Sequence, residues 1–200
     1  MRDVKNIADV AGLQPDYMGF IFYPHSARYV GDDFTLPEKF PAGIKKTGVW
    51  VNAPLDKILA SIKSLQLDAV QLHGHESAEM ADAIRQTGVE VIKVFSVGDD
   101  FDFRQTKAYE AVADYFLFDT KGKNYGGNAI AFNWELLKNY EGEKAYFLSG
   151  GLNLENLSDA LALHDSRLYG LDFNSGLEIT PGVKDISKVQ QALQKLKKQN

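Results

Sequence analysis

Short apolar or aromatic runs alternate along this chain with stretches in which apolar residues recur every three or four positions. The runs are Tyr17–Tyr23, Thr47–Val51, Ala69–His73, Glu90–Val97, Tyr115–Thr120, Ala145–Ser149 and Leu168–Phe173. Several are apolar along their whole length, the pattern of parallel strands buried on both faces. Between them the period lengthens. Leu55, Ile58, Leu59, Ile62 and Leu65 predict a helix that starts at Pro54, because proline suits a first helical turn. Glu76–Thr87 predicts another, stopped at Gly88. Asn153 reads as the N-cap of a further helix, and Val189, Leu193 and Leu196 mark the last one.

Strands alternating with helices predict a parallel α/β sheet. The repeat of roughly 25 residues suits a compact (β/α)8 TIM barrel. The pattern contains seven strands and about eight helical segments, and it opens on a helix from Asp3 to about Leu13 that no strand precedes. A barrel of this kind begins with a strand, so the expectation is a TIM barrel whose first strand is absent from these residues. No linker or low-complexity tract divides residues 1–200, which read as a single domain.

Composition narrows the classes of function. A net charge of -5 with a pI of about 5.4 gives no support to a nucleic-acid or anionic-membrane surface. The basic cluster Lys195, Lys197 and Lys198 closes a helix, where cations are favoured by the dipole. The chain has no cysteine, which excludes disulfides, thiolate metal sites and cysteine chemistry within it. No secretory pattern or membrane-length apolar run is evident, so the expected location is cytoplasmic.

In a barrel the carboxyl ends of the strands face the active site. Leu148-Ser149-Gly150-Gly151-Leu152 and Leu171-Asp172-Phe173-Asn174-Ser175-Gly176-Leu177-Glu178 each place small residues there. Small residues leave backbone N–H groups open to an anion, so Gly150, Gly151, Asn174, Ser175 and Gly176 are candidate phosphate ligands. Asp119 follows four apolar residues; partial desolvation there raises a carboxyl pKa and suits a general acid, although the same residue can cap a loop. Arg28 is either a bidentate carboxylate ligand or a solvated loop arginine. Gln71 and His73 alternate, so they share one face of their strand, as ligand contacts or as satisfied core groups. His73 and His75 lack the carboxylates of a metal set, and no metal or cofactor is expected. Lys93, mid-strand, is either a Schiff-base lysine or, as favoured here, the partner of a carboxylate in the barrel interior. Lys121–Ala131 reads as a mobile loop without the Gly-Lys-Ser/Thr ending of a P-loop.

Taken in order, Met1-Arg2-Asp3, Gly19-Phe20-Ile21-Phe22, Ser26-Ala27-Arg28-Tyr29, Gln71-Leu72-His73-Gly74, Phe118-Asp119, Ser149-Gly150-Gly151-Leu152, Asp172–Glu178 and Pro181-Gly182-Lys184-Asp185 resemble the motifs of the phosphoribosylanthranilate isomerase family. The resemblance covers essentially the whole chain. It implies a small barrel, a phosphosugar substrate, no cofactor, and an Amadori rearrangement in tryptophan biosynthesis, by a monomer or homodimer. It makes Asp119 the acid that opens the ribose ring and Arg28 the grip on the anthranilate carboxylate. The loops at Gly150-Gly151 and Ser175-Gly176 would hold phosphate, with Gln71, His73 and Asp172 lining the pocket. The family's base is a cysteine in a Lys-aliphatic-Cys-Gly strand, and it would lie just ahead of Met1. The resemblance therefore implies that these residues bind substrate but isomerise it slowly. Asn128 and Ala129 replace Thr and Gly of a family loop, and alanine reaches positive φ at higher cost than glycine. Other phosphosugar barrels fit less well: indole-glycerol-phosphate synthase resemblance calls for strand-end lysines and an N-terminal extension, and ribulose-phosphate epimerase for a metal set. A non-catalytic phosphate-ligand binder derived from the isomerase is the reading from a different class.

Overall fold

The computed structural model describes residues 1–37, 39–121 and 131–198. Its core is a seven-stranded sheet in sequence order, β1 (Tyr17–Ile21), β2 (Lys45–Trp50), β3 (Ala69–Leu72), β4 (Glu90–Val97), β5 (Tyr115–Thr120), β6 (Tyr146–Leu148) and β7 (Leu168–Leu171). Every adjacent pair is parallel. The expected runs hold, most of them shortened by a residue or two at their ends. The sheet curls until Tyr17 of β1 touches Phe147 of β6, with ring centroids 5.3 Å apart. The result is the TIM-barrel type of fold. Among the described residues β1 and β7 remain its two edges, with no strand paired between them.

Alternation along the strands sorts side chains to two sides. Ala69, Ile92, Val94, Leu117 and Phe147 pack together inside the curl. Val70, Leu72, Val91, Phe116, Phe118, Tyr146 and Leu148 face outward and meet Ile58, Ala81, Ile84 and Ala160 of the helices. That outer layer is where most apolar surface leaves water, and it contributes most of the stabilisation. Lys93 corrects the sequence reading: it is paired with a carboxylate, Glu76, but on this outer side and not in the interior.

The helices are α1 (Val4–Ala11), α2 (Leu55–Leu65), α3 (Ala78–Arg85), α4 (Leu157–Leu161) and α5 (Ile186–Lys197). Asp3 caps α1 by accepting from the Asn6 N–H at 2.7 Å. Pro54 stands at the N-cap of α2, just before its first turn. Asn156 is the N-cap of α4; Asn153 instead accepts from the Glu155 and Asn156 amides and shapes the turn ahead of it. Residues 103–109 and 134–139 form 3-10 turns in place of full helices, and a third such turn covers Ser175–Leu177. A hairpin, β8 (Glu178–Thr180) with β9 (Val183–Lys184), was not read from the sequence, although Pro181-Gly182 is its turn signal. It clasps α1, because buried Asn6 donates to the Lys184 carbonyl at 2.9 Å and accepts from the Lys184 N–H at 2.8 Å.

Candidate active site

A cavity of about 960 Å³ opens at the carboxyl ends of the strands and follows the inside of the curl down to Tyr17, Lys45 and Tyr169. Asp119, Arg28, Gln71, His73, Asp172 and the candidate phosphate ligands other than Gly176 line it, Gly176 lies between the lining residues Ser175 and Leu177, and Lys93 and His75 do not reach it. Residues 122–130, with Asn128 and Ala129 and most of the stretch read as a mobile loop, lie outside the described residues.

Asp119 stands near the carboxyl end of β5, pointing inward, with 6% of its side chain exposed. One oxygen accepts from the Thr120 N–H at 2.9 Å. The other lies 3.2 Å from Nε2 of His73, itself only 10% exposed. Gln71 Nε2 is 3.3 Å from Nδ1 of the same imidazole, so the shared face expected of Gln71 and His73 is present. With the amide donating there, the ring proton sits on Nε2. The contact from Nε2 to Asp119 is short but poorly aligned, and Nε2 is a buried polar atom without a well-directed partner in the described residues. A hydroxyl or carbonyl of a bound molecule would complete it.

Asp172 follows β7 and faces the same space; Ser149 Oγ donates to it at 3.4 Å. Burial, reinforced by the charge of Asp119, pushes its pKa above the usual carboxylate value.

The two small-residue loops meet. Gly150 has φ +86°, and a Cβ there would lie 2.2 Å from Thr120 Oγ1 and 2.8 Å from the Asp119 carboxylate. Gly176 presses on the other loop so closely that a Cβ would lie 2.0 Å from the Leu152 carbonyl oxygen. Only glycine fits either position.

Arg28 reaches the cavity from the loop after β1, but its Nε and Nη2 edge is engaged. It donates to Glu178 at 3.0, 3.0 and 2.7 Å, a bidentate pair whose carboxylate is 5% exposed. Lys184 Nζ donates to Glu178 at 3.3 Å and to Asn174 through its carbonyl at 2.8 Å and its amide oxygen at 3.0 Å. Burial disfavours the Glu178 anion, but Arg28 and Lys184 outweigh it and hold its pKa below the usual range. Burial pulls the Lys184 pKa down, against the attraction of Glu178. Glu178 and Lys184 were missed as site residues. Their signal was present in the two terminal motifs, where charged residues follow the glycines. Met1 also lines the cavity; its amine donates to the Gly19 carbonyl at 3.2 Å, and burial followed by repulsion from Lys184 pushes its pKa down to about 5.

No group of His, Asp or Glu among the described residues is arranged to hold a metal ion. Two carboxyl groups and an imidazole converging beside glycine-built loops at the ends of parallel strands define a barrel enzyme of acid–base chemistry. The family model for N-(5'phosphoribosyl)anthranilate (PRA) isomerase matches residues 1–195, and the chain belongs to that family. It is 39% identical over 199 residues to the N-(5'-phosphoribosyl)anthranilate isomerase of Parabacteroides distasonis, covering 98% of this chain and 90% of that one. The crystal structure of phosphoribosyl anthranilate isomerase from Thermotoga maritima is similar with a TM-score of 0.84 and 31% identity, covering 99% of this chain and 96% of the other. A solved complex of the isomerase with reduced 1-(o-carboxyphenylamino)-1-deoxyribulose 5-phosphate is similar with a TM-score of 0.80 and 29% identity over 99% and 95% of the two chains.

Proposed function

We propose that this chain converts N-(5'-phosphoribosyl)anthranilate into 1-(2-carboxyphenylamino)-1-deoxyribulose 5-phosphate, an aldose–ketose isomerisation of tryptophan biosynthesis. The observation that carries the reading is Asp119, buried at the end of β5 between His73 and the Gly150 turn. Asp119 gives a proton to the ribose ring oxygen as the C1–O bond breaks, and the nitrogen lone pair forms C=N. A base then takes the C2 proton and its electron pair forms C1=C2. The resulting enol loses its O–H proton and C1 gains one, so no atom is gained or lost overall. His73 Nε2–H is suited to donate to a sugar oxygen, and Asp172 faces the same space. Phosphate is assigned to the turns at Gly150, Gly151, Asn174, Ser175 and Gly176, and the anthranilate carboxylate to Arg28, which Glu178 holds in place. The reading extends to a single domain acting in the cytoplasm as a monomer or homodimer, without a nucleic-acid or membrane partner. Among the described residues no helix is long and apolar enough to cross a membrane.

The reading from a different class is a non-catalytic phosphosugar binder derived from the same fold. Calorimetry with the reduced product analogue, paired with a fluorescence assay of phosphoribosylanthranilate consumption, separates the two. The isomerase reading expects binding and turnover, with Asp119→Asn lowering the rate by ~10²–10⁴-fold at unchanged affinity and melting temperature. Binding with no turnover above background leaves the binder. Absence of binding overturns both.

A further inference from the structure

Lys93 and Glu76 form a buried ion pair that takes no part in the chemistry above. Their side chains are 4% and 0% exposed, with Nζ 3.2 Å from the Glu76 carboxylate. Burial pulls the Lys93 pKa down, opposed by Glu76. Taking two charges out of water costs several kcal/mol, and apolar replacements of such pairs are often neutral or stabilising. Stability alone is therefore a weak reason for this pair to exist.

Its hydrogen bonds converge on one short segment. Besides Glu76, Lys93 donates to the carbonyls of Leu72 at 3.2 Å and Gly74 at 2.7 Å, the residues on either side of His73. Glu76 accepts from the Gly74 N–H at 2.9 Å and from the Asn52 N–H at 2.7 Å. Asn52 closes the circuit by accepting from the His75 N–H at 2.7 Å. Tyr109 braces the outside, donating to the Glu76 carbonyl at 2.7 Å with its ring 5.5 Å from the ammonium. Gly74 leaves no slack, since a Cβ there would meet Asn52 Oδ1 at 2.4 Å. The backbone before and after His73 is thus held from the outer face of the sheet, while its imidazole projects inward against Asp119.

We propose that Lys93 and Glu76 are positioning residues: they set His73 at its distance from Asp119 and Gln71, acting through the backbone and never touching substrate. The catalytic consequence rests on the function proposed above; the placement of the imidazole does not. The double variant Lys93→Met with Glu76→Gln removes both charges and leaves no orphan ion. With four histidines in the chain, the ring nitrogens of His73 are assignable by ¹⁵N NMR. In the folded double variant the His73 signals should shift or broaden and kcat should fall ~10–100-fold with KM nearly constant, as a misplacement of about 1 Å would produce. A folded double variant with parental His73 signals and kcat overturns the proposal. Should that variant fail to fold, Asn52→Gly decides. It keeps the left-handed backbone of Asn52, φ +51°, and deletes only the bond to His75; unchanged His73 signals there overturn the proposal. His73→Gln serves as the control for the chemistry. If it retains full turnover, His73 has no part in catalysis, and the NMR result still judges the positioning.

Discussion

The two sides of the barrel are built differently. From β3 to β5 the strands are buried almost throughout; β4 and β5 pair over six consecutive residues, and a charge pair with all its partners locks the loop behind β3. From β6 to β1 the pairing thins. β6 and β7 share three register positions with a shift between them, every residue of β7 keeps some exposure, and Tyr169 is 49% exposed. Among the described residues β7 is one edge of the sheet and β1 the other. Gln71, His73 and Asp119 sit on the first side, on β3 and β5 or at their ends. The glycine loops after β6 and β7, and Arg28, sit on the second. On the function proposed above, chemistry that depends on fractions of an ångström is placed where the scaffold is stiff, while charge recognition, which falls off slowly with distance, is placed on the looser side.

The strongest way to break this contrast is to remove the proposed acid on the stiff side. Asp119→Asn is expected to lower turnover ~10²–10⁴-fold, the size of a general-acid contribution, with the melting temperature unchanged. Full turnover in that variant, measured by substrate fluorescence, means that another group opens the ribose ring.

A smaller effect tests the assignment of phosphate to the two glycine loops. Gly176→Ala must push the Leu152 carbonyl aside, because the added methyl would overlap it at 2.0 Å. Affinity for inorganic phosphate is expected to drop ~10-fold or more, about the worth of one lost charge-assisted hydrogen bond, while the His73 signals stay in place. An unaltered phosphate isotherm would place the anion elsewhere.

Hydrogen exchange then reads the contrast without mutation. Amides of β4 and β5 should exchange only through global unfolding, and those of β1 and β7 through local opening at lower free energy. Uniform protection across the seven strands would refute the division.

The smallest effect concerns a brace on the looser side. Asp165, beneath β7, pairs with Arg167 at 2.7 Å, and Arg167 also donates to the carbonyls of Tyr140 and Gly142. Arg167, against an opposing cost of burial, holds the Asp165 pKa down at about 2, from 3.8. A depressed carboxyl pKa adds stability above pH 3.8 that is lost as pH falls through about 2. Screening at this partly open site limits the contribution to about 1 kcal/mol. Asp165→Asn should therefore lower stability by about that amount at pH 7, measured by urea titration, and the gap should close near pH 2. A gap that persists at pH 2 would assign the effect to packing.

What the chain determined by itself is local. Apolar runs and their spacing located all seven strands, and the alternation of Gln71 with His73 placed both on the inner face, because side-chain direction follows from neighbours along the backbone. Glycines after the last two strands of the sheet located the two loops that meet beside Asp119 for the same reason. The tertiary structure decided the pairings. Arg28 meets Glu178 across 150 residues, Lys93 finds Glu76 on the outer and not the inner side, and the raised pKa belongs to Asp172 beside Asp119. Those outcomes depend on which loops close against each other and how much water they exclude. Burial and partner distance are properties of the assembled sheet, and no run of adjacent residues encodes them.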